Sequence, residues 1–212
     1  LEVLKSDQRA GRLGSGLVLC SNVNTNLRFE NWIMFRNQNN DRYKIQVESN
    51  EFSFEMELQP QTKLKNLILR GDSGYSRKGP EVSQASCYYS RPNLKTNGLI
   101  TIDKKIYSIQ GLSWLDHEWS SELLHPDAIG WDWVGINLID GGSLMAFRIR
   151  KNDGSTIWSD FSMLDANGKK HPWLEQKNIK GTFFVLGSVA QQFPKLILNI
   201  SKQGHEIGSH SY

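Results

Sequence analysis

The chain has 212 residues, enough for one or two domains that each bury a core. With 38% hydrophobic and 22% charged residues it has the composition of a globular protein, not of a disordered one. The formal charge of +3 is small and the basic residues are scattered, which argues against nucleic acid as a partner.

No apolar run reaches the roughly eighteen residues of a membrane span, so no transmembrane segment is expected. The opening segment LEVLKSDQRAGRLG lacks an apolar h-region, so no signal peptide is expected within these residues. Cys20 and Cys87 make no disulfide framework. They either form one bridge or stay as two buried thiols, and the thiols are the expectation.

The first predicted elements are strands. NWIMFR (31–36), YKIQVES (43–49) and EFSFEMEL (51–58) alternate apolar and polar residues, with Ser49-Asn50 as a turn. Phe52, Phe54, Met56 and Leu58 share one face at period two. KNLILR (65–70), GLITIDKKIYSIQGLSWLD (98–116), WDWVGINLID (131–140) and SLMAFRIR (143–150) continue the series. Turn signals separate them at Asp103-Lys104, Asp140-Gly141-Gly142 and Asn152-Asp153-Gly154. Short antiparallel strands at this spacing imply a barrel or sandwich, without a long helix.

Near residue 170 the pattern changes. WLEQKNIK (173–180) permits a helix, and GTFFVLG (181–187) reads as a buried strand of a parallel sheet. SVAQQFPKLILNISKQG (188–204) reads as helical. Ser188 is placed as its N-cap, Pro194 as a break or second start, and Gly204 as its stop. This is α/β syntax, so the chain divides into a β region at 1–168 and a second part at 169–212.

Four motifs of the first part resemble a known family. RGDSGYSRKG (70–79), ASCYYSRPNL (85–94), GLSWLDHEWS (111–120) and GWDWVGINLIDGGSLMAFRIR (130–150) are similar to the lipocalin-like AttH and carotenoid 1,2-hydratase (hydroxyneurosporene synthase) family, many of whose members are called predicted secreted hydrolases. The resemblance covers roughly residues 10–165. It implies tandem lipocalin-like β-barrels, of which this region holds the later part of the first and the opening strands of the second. The barrel is therefore expected to be incomplete. It also implies an apolar small molecule or polyene as partner, water addition to an alkene as the reaction, and an extracytoplasmic location.

WLDHEWS (114–120) carries the candidate chemistry. On a strand Trp114, Asp116 and Glu118 share one face, while Leu115, His117 and Trp119 share the other. A carboxyl group walled by Trp loses hydration and can stay protonated near neutral pH. Such an acid can protonate an alkene, with water trapping the cation. Asp116 is the first choice of acid because it shares a face with Trp114, Glu118 is the second, and His117 can relay the proton. The same residues can equally satisfy one another and the indole N–H groups as structural polar groups. Trp114, Trp119, Trp131, Trp133, Tyr88 and Tyr89 are the candidate ligand-binding wall. Trp131 and Trp133 share a face and read first as core, and Tyr88 and Tyr89 point to opposite faces. Arg70, Tyr75 and Lys78 either close a barrel mouth or sit in a glycine-rich turn as snorkelling charges, and the turn is the expectation.

The last 35 residues, NIKGTFFVLGSVAQQFPKLILNISKQGHEIGSHSY (178–212), with WLEQ just before them, resemble the start of the polysaccharide deacetylase, or NodB-homology, family. That resemblance implies a (β/α) barrel that removes acetyl groups from amino sugars. A divalent metal, usually zinc, is held there by one Asp and two His. His210 matches the first metal His and Ser211 the residue after it, while the second His would fall beyond Tyr212. The upstream acidic pair is missing too, since residues 150–180 hold only the separate Asp160 and Asp165. One histidine cannot make a three-ligand zinc site, so no cofactor is expected unless the deacetylase part were complete. His205 and His210 are five apart, roughly 500° around a helix, so HEIGSH is not a zincin motif, and His205 is expected to pack structurally.

The fold expectation is thus mainly β: an incomplete antiparallel lipocalin-like barrel or sandwich, then a short α/β fragment. Three functions compete: an apolar-ligand or hydratase-type module, a carbohydrate deacetylase present only in part, and an inactive fusion or fragment. The last forty residues are expected to dock loosely on the β region or to be poorly ordered.

Overall fold

The computed structural model describes residues 18–21, 23–61, 67–120, 124–171, 181–185, 187–192, 194–202 and 204–209. In chain order they form β1 (Val18–Cys20), β2 (Asn26–Phe29), β3 (Trp32–Arg36), β4 (Tyr43–Glu48), β5 (Phe52–Pro60), β6 (Ile68–Leu69) and β7 (Tyr75–Arg77). The long hairpin β8 (Ala85–Ile102) and β9 (Lys105–Trp119) follows, then β10 (Gly130–Leu138), β11 (Ser143–Arg150), β12 (Thr156–Leu164) and β13 (Lys170–His171). The chain continues with β14 (Gly181–Val185), α1 (Gly187–Gln192), α2 (Pro194–Lys202) and β15 (Glu206–Ser209). The fold is mainly β and antiparallel, and no barrel closes among the described residues. No helix among them is long and apolar enough to cross a membrane.

By its contacts the chain divides into two units, residues 2–61 with 94–113, and residues 62–93 with 114–212. The first is an antiparallel meander, β1 to β5, closed on one side by the second half of β8. Its register puts apolar residues opposite one another: Tyr43 faces Leu58, Ile45 faces Met56 and Val47 faces Phe54. These are the cross-strand pairs that stabilise one buried sheet face. Lys44 stands opposite Glu57 on the other face, and Arg42 donates to Glu57 at 2.7 Å. Asp103 and Lys104 both take positive φ, 50° and 63°, as a two-residue hairpin turn requires.

The second unit carries the candidate site. Its main sheet has the order β13-β12-β11-β10-β14-β15. Facing it are β6, β7, the first half of β8 and the end of β9. Tyr88 of β8 packs with Met145, Phe147 and Ile149 of β11, with Trp114 and Trp133 against them. β8 runs through Pro92, which has no N–H for a ladder. The strand changes partners there: residues before it pair with β6 and β7, residues after it with β5. Asn93 next to it takes φ 55° and donates its Nδ2 to the carbonyls of Gly141 (3.0 Å) and Gly142 (2.9 Å).

Two expectations change here. Cys20 and Cys87 are free thiols as expected, but both are exposed rather than buried. The 70–79 segment does turn, with Gly71, Ser73 and Gly74 at φ 61°, 54° and 97°. Its charges, however, do not snorkel. Arg70 is only 2% exposed, and Lys78 points inward with 13% of its side chain exposed. A Cβ on Gly71 would run into the Tyr75 carbonyl and lie 2.7 Å from Ser76 Cα. Gly71→Ala is therefore expected to lower stability by about 1–3 kcal/mol, checked by urea denaturation.

The C-terminal residues form the strand and helices expected of them, with a parallel partner for the strand, but depart from expectation in where that strand docks. β14 pairs antiparallel with β10, Gly135 opposite Phe184 and Ile136 opposite Phe183, and parallel with β15. Far from docking loosely, it is a strand of the main sheet, and Phe184 is 8% exposed. α1 begins at Gly187, so Ser188 lies inside it and is not its cap. Pro194 opens the second helix, where a missing N–H costs nothing, and Gly204 at φ 83° follows its end.

Candidate functional site

Strand alternation sorts most of the WLDHEWS residues as the sequence implies, except that Trp119 at the end of β9, expected on the His117 face, lines a cavity together with Glu118. Trp114, Asp116 and Glu118 stand on the face that meets the main sheet, and His117 stands on the other. What each meets separates them further.

Deepest is a polar chain built on Arg70. Its Nε donates to Ser90 Oγ at 2.8 Å, and its Nη1 to Ser162 Oγ at 2.5 Å. Ser90 Oγ donates in turn to Asp116 Oδ1 at 2.5 Å, and Trp114 Nε1 donates to the same oxygen at 2.8 Å. The guanidinium lies 5.4 Å from the Trp114 ring centroid. Burial lowers the Arg70 pKa from its ordinary value, opposed by Tyr88, Asp116 and Asp160 nearby. Asp116 thus spends one oxygen on two donors, which is the work of a structural acceptor.

Nearer the surface is a cavity of about 280 Å³. Its aromatic wall is Tyr88, Trp119, Trp131, Trp133 and Phe147, and Lys78, Ser86 and Glu118 supply its polar groups. Trp131 is 52% exposed and forms the rim rather than the core expected for it. Trp133 Nε1 donates to Tyr88 Oη at 3.1 Å, and its ring meets Trp114 edge-on at 5.8 Å. Burial raises the Tyr88 phenol well above its ordinary 10.0, with Asp116 adding to the rise, so it stays neutral.

Two groups in this wall carry charge. Glu118 Oε1 accepts Lys78 Nζ at 2.8 Å and Ser86 Oγ at 2.5 Å. Lys78 Nζ also lies 4.1 Å from the Phe147 centroid and 4.7 Å from that of Tyr88. Burial lowers the Lys78 pKa from its ordinary 10.5, although Glu118 pulls it upward. Lys78 and Glu118 thus form a hydrogen-bonded ion pair on the cavity wall.

The outer face of β9 makes a separate cluster. Tyr89 Oη lies 2.8 Å from His117 Nδ1, and the His117 ring is 5.0 Å from that of Trp119. Burial lowers the His117 pKa. Neither His117 nor Tyr89 lines the cavity, and nor do Asp116 and Trp114. Of the residues singled out in the sequence, the structure therefore brings together Glu118, Trp119, Trp131, Trp133 and Tyr88. Asp116, His117, Trp114 and Tyr89 stand behind that wall and do not line it, with Trp114 packed on Trp133 and His117 on Trp119.

Sequence reasoning missed Lys78 as a cavity group, and it missed Ser86, Ser90 and Phe147. The signal was present as S-x-Y-x-S, since Ser86, Tyr88 and Ser90 fall on one strand face at period two. Pro92 close by hid the strand.

His210 lies outside the described residues. Among those described, no three His, Cys, Asp or Glu side chains gather to hold a metal ion. His205 packs its ring 4.9 Å from that of Phe183.

Residues 2–184 match the family model described as AttH-like, and residues 165–212 match the polysaccharide deacetylase model. The crystal structure of a candidate AttH from Nitrosomonas europaea is 38% identical with a TM-score of 0.70, over 84% of this chain and 51% of that one. Kievitone hydratase from Nectria haematococca has a TM-score of 0.54 at 13% identity, over 72% and 47% of the two chains, a likeness of fold alone. The peptidoglycan-N-acetylglucosamine deacetylase of Bacillus cereus is 49% identical over 39 residues, 18% of this chain and 14% of that one. A Listeria monocytogenes enzyme of the same name is 49% identical over 39 residues, 8% of its length. The chain thus spans about half the length of the AttH structure and a small part of the deacetylases. Both family matches include 165–184, and β14 begins inside that overlap.

Proposed function

The chain belongs to the AttH-like family, and from that premise we propose that it holds an apolar small molecule in the Trp131–Trp133 cavity and adds water to a double bond there. The observation that carries this reading is the pairing of an aromatic wall with one Lys78–Glu118 couple on its surface. Ligand pockets of this kind are mostly apolar, with a few placed polar groups. A volume of about 280 Å³ is at the lower edge of the usual range of roughly 300–1,000 Å³, which suits a ring system or one end of a polyene.

Glu118 takes the acid role in this reading, in place of Asp116. It alone of the two carboxylates lines the cavity, and Lys78 can pass it a proton across 2.8 Å. Protonation of an alkene carbon leaves a cation, which the faces of Trp131 and Trp133 stabilise. Water entering from the rim then traps it and gives up a proton to the Glu118 carboxylate, which restores the acid. Trp114, Asp116 and Arg70 hold β9 in place behind the site and do not touch the ligand.

Binding is tested with 1-anilinonaphthalene-8-sulfonate fluorescence. Trp131→Ala is expected to weaken binding about ten-fold, the equivalent of roughly 1.4 kcal/mol. Leu69→Ala, at a hollow elsewhere on the same unit, is expected to leave binding unchanged. The chemistry is read as oxygen incorporation from heavy-oxygen water into myrcene, a short terpene polyene. Glu118→Gln should keep the dye and lose incorporation by on the order of 100-fold or more. Dye binding indifferent to Trp131 would sink the ligand reading, and hydration intact in Glu118→Gln would sink the assignment of the acid.

A further inference from the structure

We propose that Lys78 is an amine nucleophile that captures aldehydes in the aromatic cavity as an imine. The idea rests on the cavity reading above and adds a substrate class to it: apolar molecules that end in a carbonyl, conjugated enals above all.

Four observations carry it. First, Lys78 lines the cavity, and its side chain is only 13% exposed, so its Nζ is held at an apolar ligand surface rather than in bulk water. Second, the amine is fixed from three sides, by Glu118 Oε1 at 2.8 Å, Ser76 Oγ at 3.0 Å and the Phe147 and Tyr88 rings. Ser76 is fully buried, so this anchoring is rigid. Third, burial works against the ammonium form; the charges that oppose it are Glu118, Asp160 and Asp116. Fourth, Glu118 gives the proton a destination. Its Oε1 lies 2.8 Å from Nζ, within reach of the proton that the amine must shed before it attacks.

The step balances. The neutral amine's lone pair attacks the aldehyde carbon, and the carbonyl π electrons go to oxygen. The nitrogen then passes a proton to that oxygen, leaving a carbinolamine. Glu118 gives its own proton to the hydroxyl, which leaves as water, and the C=N bond forms as the C–O bond breaks. The protonated imine then returns its N–H proton to the Glu118 carboxylate, so one aldehyde and one amine give one imine and one water, with no oxidant or reductant. Desolvated lysines in proteins are used in this way.

The test is reductive trapping on the full chain at pH 7. Cinnamaldehyde is added below one equivalent with sodium cyanoborohydride, and the adduct is mapped by peptide mass spectrometry. Lys78 is expected to carry at least about ten-fold more label than any other lysine, since surface lysines are protonated at that pH. Pre-filling the cavity with 1-anilinonaphthalene-8-sulfonate should suppress label at Lys78 and nowhere else. Lys78→Arg should remove it while circular dichroism stays unchanged; the wild-type map stands as the test if that variant misfolds. Cinnamyl alcohol, the same body without the carbonyl, should displace the dye yet leave no adduct. Label spread evenly over the lysines while the dye still binds would overturn the imine and leave the ligand reading intact. Failure of the dye, the alcohol and the aldehyde alike would remove both.

Discussion

Arg70→Met is expected to destabilise the protein by about 3–5 kcal/mol, the cost of breaking a buried charged network from one side. The guanidinium is 2% exposed and donates to Ser90 and Ser162, which lie on β8 and β12. Removing it leaves both hydroxyls short of a partner and leaves Asp116 without its buried counter-charge. Arg70→Lys is expected to recover little, because one ammonium cannot replace a planar fork that reaches two serines at once. The measurement is the urea midpoint at constant m-value. A loss under about 0.5 kcal/mol, typical of a surface charge, would mean that Arg70 snorkels after all.

Phe184→Ala is the second large effect, expected at about 3–5 kcal/mol, as for other buried Phe truncations. Phe184 is buried, stands opposite Gly135 in the sheet register, and lies 6.3 Å from the Trp114 ring. Its loss should also reduce the near-ultraviolet circular dichroism of the tryptophans, because the Trp114–Trp133 pair loses a neighbour. Leu198→Ala on α2, where the side chain is 53% exposed, is expected within about 0.5 kcal/mol. Equal, small effects for the two variants would show that the residues after 180 are an appendage. The expected contrast would show that a strand beginning inside the overlap of the two family matches belongs to the core.

The wall of the cavity was only partly legible in the sequence. Trp131, Trp133 and Glu118 were visible because rare or ionisable residues at period two announce a strand face. Lys78 was not, since a basic residue beside glycines reads as an exposed turn. The turn is real, yet the tight bend at Gly71 to Gly74 sends Arg70 and Lys78 back into the protein. Asp116 and Glu118 share a face and a spacing, so local pattern cannot rank them. The ranking came from partners supplied at long range: Trp114 and Ser90 for the first, Lys78 and Ser86 for the second.

By itself the sequence determined what local rules determine. Period-two alternation set which face each strand residue takes, and Asp-Lys, Gly-Gly and Asp-Gly pairs set the turns. Pro194 and Gly204 marked the start and end of α2, and the motifs in order gave the family resemblance. Tertiary structure alone decided which faces meet. β14 has the same apolar run whether it sits in a parallel barrel or beside β10, because a doubly buried strand reads alike in both. Whether a charge is buried, and which carboxylate touches a cavity, depends on residues far apart in the chain. Such contacts are set by packing and the partner's geometry, which no window along the sequence contains.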